Sequence, residues 1–406
     1  MEKLYEPAPK VPLCIIGFGP GDEALLTDKA KNVINAAQKI LSTGRISGVD
    51  ERIQDLNLVE LMAELKNKAD VGTAVLVSGD CGFFSAARNI VRDFSDLYEI
   101  ELIPGIGSIQ YLSAKIKIPY DDAALVSLHG RNVNIVPKVA YNKKVFALTG
   151  GPNSAQEVCR KLCRYGLCDV NVSVGERLSY TDEQITSGKA VELQDMCFNE
   201  LSVMYIENPL AVNPHTPLYD SDFVRGDIPM TKEEIRWLSI SKLGVSPQDI
   251  VYDIGAGTGS VSVEMARKAF DGFVYAIEIK EEACDLIRKN IVKHGAFNIE
   301  VIHGQAPDAL EGLPAPSKVF IGGSSGNMDG ILEKLILLNP GVKIAVNAIT
   351  LQTLNQAIAG FEKYGLNDTD IIYANIAKSK KTGAYDIMMA QNPVFIITGM
   401  RGKSHE

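Results

Sequence analysis

The stretch PQDIVYDIGAGTGSVSVEMARKA, residues 247–269, decides the fold of the second half of this chain. An apolar run ending at Ile254 enters a turn with glycines at 255, 257 and 259. Apolar residues then recur at helical spacing, so the stretch reads as strand, glycine turn and helix. Glycines at such a turn let a ligand approach the backbone without a Cβ in the way. A dinucleotide fingerprint, GxGxxG counted from Gly255, requires glycine at 260, where this chain has Ser260. Asp253 instead precedes the first glycine by two residues. An acid there suits an ammonium group better than a pyrophosphate. The expected ligand is therefore the amino-acid end of S-adenosylmethionine, held by Asp253, Gly255, Ala256, Gly257, Thr258 and Gly259.

The next apolar run, FVYAIE (273–278), ends in Glu278, whose carboxylate can accept both ribose hydroxyls of a nucleoside. Each hydrogen bond to a charged group contributes roughly 1.5–3 kcal/mol. A third run, IEVIHG (299–304), leads to Gln305 and Ala306, where the adenine edge is expected. Loop, acid and third strand in this order mark a class I methyltransferase, a Rossmann-like α/β fold.

The first half alternates strands and helices as well. VPLCIIGFG (11–19) runs into glycines, LLTDKAKNVINAAQKI (25–40) has helical spacing, and GTAVLVSGD (72–80) repeats the strand-into-turn pattern. Further strands are predicted at 123–128, 144–148, 170–174 and 201–206. Four glycine turns follow strands: Gly17–Asp22, Ser78–Phe84, Pro104–Ser108 and Leu148–Pro152. Ligands bind at that strand edge in open α/β sheets. Pro20 lacks an N–H, so the first turn is a poor phosphate cradle. The segment ENPLAVNPHTPLYDSD (207–222) carries three prolines. The prolines place domains at 1–210 and 224–406, with a linker at 211–223. A length of 406 residues also calls for more than one core.

Composition narrows the function. A net charge of −9 gives no basic footprint for nucleic acid or anionic lipid. Apolar runs are too short to span a membrane, and the N-terminus lacks the apolar core of a signal peptide. Seven irregularly spaced cysteines fit buried thiols in a reducing cytoplasm. Cys159, Cys163 and Cys168 lie close in sequence but lack a zinc-like pattern, so no metal is expected.

Residues 224–400 resemble the decarboxylating precorrin-6B C15-methyltransferase family, through FVRGDIPMTKEEIR (223–236), VFIGGSSGNMDGIL (319–332), VNAITLQTL (346–354) and NPVFIITG (392–399). The resemblance implies a cofactor pocket that adds Thr231 to the glycine loop, Glu278 and Ala306. Gln305 stands where an acid is common and can still bond adenine. Residues 11–207 resemble the tetrapyrrole methylase superfamily, with two α/β subdomains around a cofactor cleft. IPGIGSIQYLSAKIKIPYDDAALVSLHGR (103–131) points to its C5-methylating branch. By motif, Pro20, Gly79, Asp80, Cys81, Phe84, Ser108 and Ile109 would line that cleft, Cys81 replacing a usual proline. Together the halves resemble the fused precorrin-6Y C5,15-methyltransferases (decarboxylating).

The resemblance implies an anionic tetrapyrrole substrate and one S-adenosylmethionine per domain. A homo-oligomer is expected, and the charge balance and short apolar runs speak for neither nucleic acid nor membrane as a partner. Substrate carboxylates call for local cations, and Arg131 and Arg225 are the candidates, with the Ser324, Ser325 and Asn327 loop. Asp227 and His303 are weak candidates for a proton donor. The alternative is a methyltransferase of RNA or protein in which one half serves as a binding module.

Overall fold

The strand-and-turn signals beginning at Val11 and Thr73 become neighbouring parallel strands in the computed structural model, which describes residues 10–43, 46, 50–67, 72–129 and 133–402. The chain forms two compact units.

The first unit comprises residues up to 132 together with 144–207. Its first sheet contains β1 (Val11–Gly17), β2 (Lys39–Thr43), β3 (Ile53–Asp55), β4 (Thr73–Val77) and β5 (Tyr98–Ile103), in the order β3-β2-β4-β1-β5. All neighbours are parallel. Helices α1 (Asp28–Ala36), α2 (Leu58–Lys66), α3 (Ala87–Phe94) and α4 (Ser108–Ile116) connect or follow these strands. Every residue of β4 is buried, as a parallel strand covered on both faces requires. The helix predicted for 25–40 is shorter, because Thr27 caps its start and Arg52 donates to the Ile34 and Ala37 carbonyls at its end. Lys39 then begins β2.

After helix α5 (Ile135–Tyr141), the second sheet of this unit continues through β7 (Lys144–Leu148), α6 (Ala155–Arg164), β8 (Asn171–Glu176), β9 (Gln184–Lys189), α7 (Ala190–Leu193) and β10 (Ser202–Glu207). With β6 (Ala124–Ser127) the order is β6-β7-β10-β8-β9. All four strands predicted between 123 and 206 are present.

The second unit comprises 133–143 and 208–406. Two sequence expectations change here. Helix α5, which lies in the N-terminal half of the chain, packs in this unit: Lys138 pairs with Asp271, and the Asn208 amide donates to the Val139 carbonyl at 2.9 Å. The segment expected as a linker, 211–223, is built into the same unit. The buried Arg267 donates to the Asn213 and Thr216 carbonyls at 2.6 and 2.8 Å, and Leu218 and Phe223 are buried. Proline marks the turns of this segment but does not make it free.

Its strands are β11 (Ile250–Ile254), β12 (Phe273–Glu278), β13 (Ile299–His303), β14 (Lys318–Ile321), β15 (Lys343–Ala348), β16 (Asp368–Ala374), β17 (Ala377–Thr382), β18 (Tyr385–Ala390) and β19 (Val394–Met400). Helices α8 (Glu233–Leu243), α9 (Ser260–Lys268), α10 (Glu281–His294), α11 (Met328–Leu338) and α12 (Leu351–Lys363) accompany them. The large sheet runs β13-β12-β11-β14-β15-β19-β16, and β17 with β18 forms a separate hairpin. Strands β13 to β15 are parallel, and β19 is antiparallel to β15. The chain leaves β11 toward β13 and returns to β14 on the other side. Ligands bind where strand order reverses in this way, outside the carboxyl ends of the strands.

Candidate functional site

A cavity of about 670 Å³ opens at that reversal. It runs along the carboxyl ends of β12, β11, β14 and β15 and the start of β19. Of the residues expected from sequence, Thr231, Gly255, Ala256, Gly257, Thr258, Glu278, Gln305, Ala306, Ser324 and Ser325 line it. Glu278 is 7% exposed and fixed by the backbone. One carboxylate oxygen accepts from the Gly257 N–H at 2.8 Å, and the other accepts from the Ile279 and Lys280 N–H groups at 2.9 and 3.0 Å. The acid and the glycine loop are thus one rigid piece. Gly255 and Gly257 both have positive φ. A Cβ on Gly255 would stand 2.8 Å from the Gly323 backbone, and one on Gly257 would stand 3.0 Å from the Pro229 carbonyl oxygen.

Gly259 is not in the cavity wall: its missing Cβ lets Ile287 of α10 approach. Asp253 is likewise not in the wall, which corrects its expected ammonium contact. It is 1% exposed, and the Ser262 hydroxyl of α9 donates to it. Burial pushes its carboxyl up to about 7. Ser262 thus holds the side chain of the penultimate β11 residue beneath α9, and the other carboxylate oxygen of Asp253 is buried without a partner. Arg225 and Asp227 are exposed and outside the cavity wall. His303 is outside it too, held by Glu281 at 2.7 Å and the Ile279 carbonyl at 3.0 Å. Asn327 caps α11 instead of facing the cavity.

Residues 228–232, the end of a strap that begins at Leu218, line one side of the cavity, and Arg236 of α8 holds the strap. This guanidinium is fully buried. It donates to Glu264 at 2.7 Å, the Thr231 carbonyl at 2.8 Å, the Leu218 carbonyl at 2.9 Å and Asp220 at 3.2 Å, and it stacks on the Phe223 ring. Asn290 of α10 adds a second clamp, accepting from the Val224 N–H at 2.8 Å and donating to its carbonyl at 3.1 Å. Beside it, burial pushes His294 down to about 4.

In the first unit three glycine turns meet backbone to backbone. Gly19 and Gly79 exchange hydrogen bonds of 3.1 and 2.8 Å. A Cβ on Gly17 would lie 2.7 Å from the Gly105 nitrogen, and one on Gly105 would lie 2.1 Å from the Gly17 carbonyl oxygen. The bare backbone at Gly17 and Gly105 lets the loops close on each other. Asp80 bridges them, accepting from Gly82 at 2.8 Å and Gly105 at 3.4 Å. Pro20, Gly79, Asp80 and Phe84 lie on the turns at that strand edge, and Ser108 begins α4 directly after the third turn. The side chains of Cys81 and Ile109 do not reach it. Both are in the core, the Cys81 thiol 3.2 Å from the Ile103 carbonyl and pushed up to about 11 by burial. Arg131 lies outside the described residues.

Two family models match the two halves of the chain. Tetrapyrrole (corrin/porphyrin) methylases match residues 12–194, and the precorrin methyltransferase domain matches 222–401. A Sinorhizobium protein named precorrin-6Y C5,15-methyltransferase (decarboxylating) is 30% identical over 85% of this chain and 86% of its own length. This chain belongs to that family. A Saccharolobus solfataricus protein named probable cobalt-precorrin-6B C15-methyltransferase (decarboxylating) is 42% identical over 43% of the chain and 89% of its own length. A solved precorrin-6Y C5,15-methyltransferase structure from Geobacter metallireducens is 34% identical, covers 45% of this chain and 97% of its own, and has a TM-score of 0.43.

The chain is thus an S-adenosylmethionine-dependent methyltransferase of the precorrin family. Sequence reasoning missed the roles of Arg236, the last residue of the 223–236 motif, and of Asn290, because they act largely through partners remote in sequence, Asp220 and Glu264 for the first and Val224 for the second. It also missed Asn347 and Gln391, which line the cavity beyond the loop of Ser324 and Ser325. Among the described residues no helix is long and apolar enough to cross a membrane.

Proposed function

We propose that this chain methylates a precorrin-6B-type corrinoid, with or without cobalt, at C5 in the first unit and at C15 in the second. The second unit also removes the ring C acetate as carbon dioxide. The observation that supports this most is the second unit's cavity: a backbone-fixed carboxylate and a glycine loop at one end, with room beyond them. The residues present fit S-adenosylmethionine. Glu278 would hold the ribose hydroxyls, the Gly255–Thr258 stretch of the turn the amino-acid end, and Gln305 with Ala306 the adenine edge. When bound, the cofactor supplies an electrophilic methyl group. The chain's own part is to hold the ring carbon in register and keep water from it; such positioning accounts for ~7–11 kcal/mol of a barrier.

In the first unit the closed glycine turns, with Asp80, Phe84 and Ser108, make up the second cofactor edge. One cofactor per unit, two per chain, is the reading. Calorimetric titration of the full chain tests it: a stoichiometry of one overturns the assignment of two sites. Mass spectrometry of precorrin-6B after incubation with enzyme and S-adenosylmethionine tests the reaction. Two added methyl groups and one lost carbon dioxide are expected.

A homo-oligomer in the cytoplasm completes the reading. The β17–β18 hairpin supports self-association, because Tyr385, Ile387, Met388 and Met389 are exposed on it. Exposed apolar strands of this kind are rarely left uncovered.

A further inference from the structure

Glu278 and Asn347 sit at opposite ends of the cavity, on β12 and β15, which are three strand steps apart in the sheet. At about 4.8 Å per step the separation is roughly 14 Å. The far end is therefore not the ribose end. Its wall is apolar, formed by Ile235, Ile331, Ile349 and Val394, with the amides of Asn347 and Gln391 set among them. The Ser239 hydroxyl is shared between the Ile235 carbonyl at 2.7 Å and Asn347 Oδ1 at 2.9 Å. That contact leaves Nδ2 of Asn347 buried with no partner. Oε1 of Gln391 is buried and unpartnered as well. A terminal amide presents either end by rotation, so Gln391 can also donate. The charged residues in the cavity wall are Glu278, Lys280 and Lys232. The first two belong to the β12 end, and Lys232 has Asp220 at 3.6 Å.

A buried donor without a partner costs free energy that a bound acceptor recovers. We propose that Asn347 and Gln391 form the subsite that holds the acetate carboxylate lost as carbon dioxide. The inference rests on the decarboxylating activity proposed above. The reason lies in the charge flow of the step. The bond between the acetate methylene and its carboxyl carbon breaks, and its electron pair moves into the conjugated ring through a protonated imine nitrogen. Carbon dioxide leaves, and the methylene carbon takes a proton from water to become a methyl group. Negative charge thus leaves the carboxylate in the transition state. An arginine or lysine there would stabilise the ground state more than the transition state and slow the step. Neutral amides orient the carboxylate with less of that penalty, and the apolar wall favours loss of its charge.

Three variants of the full chain test this: Asn347→Leu, Gln391→Leu and Gln391→Lys. The readouts are precorrin-6B affinity by absorbance titration, carbon dioxide loss by product mass, and S-adenosylmethionine affinity as a control. Each leucine variant is expected to weaken precorrin-6B binding by about tenfold or more, as losing a hydrogen bond to a charged group does. Cofactor affinity should stay within about twofold of wild type, since the change lies three strands from Glu278. Gln391→Lys should bind precorrin-6B more tightly yet lose carbon dioxide more slowly, a split that a purely structural role does not give. If Asn347→Leu misfolds through the loss of Ser239, the Gln391 variants decide, since Gln391 is tied through its backbone N–H to the Ile376 carbonyl. Wild-type precorrin-6B affinity and carbon dioxide loss in a folded leucine variant would overturn the subsite. A wild-type enzyme that binds precorrin-6B but releases no carbon dioxide would instead overturn the proposed reaction.

Discussion

Replacing Arg236 by Met should both destabilise the second unit and loosen its cavity. Methionine keeps the apolar stem but removes a fully buried guanidinium that donates to Glu264, Asp220, Thr231 and Leu218. Glu264 then keeps the Trp237 indole N–H at 3.2 Å. Burial already raises its carboxyl above the usual range, with Arg236 pulling it back down. Removing one partner of a buried ion pair costs about 3–5 kcal/mol. For a unit of this size each kcal/mol lowers the melting temperature by roughly 2–4 °C, so a drop of about 6–20 °C is expected. The loss should shrink at low pH. A carboxyl whose folded pKa is raised is unfavourable above that pKa and neutral in cost below its unfolded value, so protonating Glu264 relieves the variant. Arg236→Met with Glu264→Gln should recover part of the loss for the same reason. Because Arg236 holds the Thr231 carbonyl, S-adenosylmethionine binding should also weaken in the single variant. Calorimetric melting and cofactor titration at pH 7 and pH 5 are the assays. A melting temperature close to wild type, with unchanged cofactor affinity, would refute the role assigned to this hub.

Gly257→Val should abolish C15 methylation and carbon dioxide loss while sparing C5 methylation, because its Cβ would crowd the Pro229 carbonyl at 3.0 Å and its φ of +58° disfavours a β-branched residue; product mass resolves the two. Stability should fall as pH drops from about 6.5 toward about 4, since His294 stays neutral in the fold while the unfolded chain takes up a proton. His294→Gln should flatten that slope in urea titrations across the range. Ile387→Asp with Met389→Asp should shift the chain to a smaller species in light scattering, and an unchanged mass would remove the hairpin from any self-association.

The sequence by itself determined what depends on neighbouring residues. The run from Ile250 to Ala269 dictates strand, turn and helix because period and glycine placement are local, and Glu278 follows from its place at the end of the next strand. The two-unit organisation was legible for the same reason. Tertiary structure decided whatever depends on residues remote in sequence. It turned Asp253 under α9, placed α5 in the second unit and anchored the proline-rich segment on Arg267. It showed that Gly17 and Gly105 serve loop-to-loop contact, because a missing Cβ looks the same in sequence whether ligand or backbone fills the space. It also brought Asn347 and Gln391 to one end of a cavity. Their significance lies in hydrogen bonds left unmade, and only the packing around an amide determines whether it has a partner.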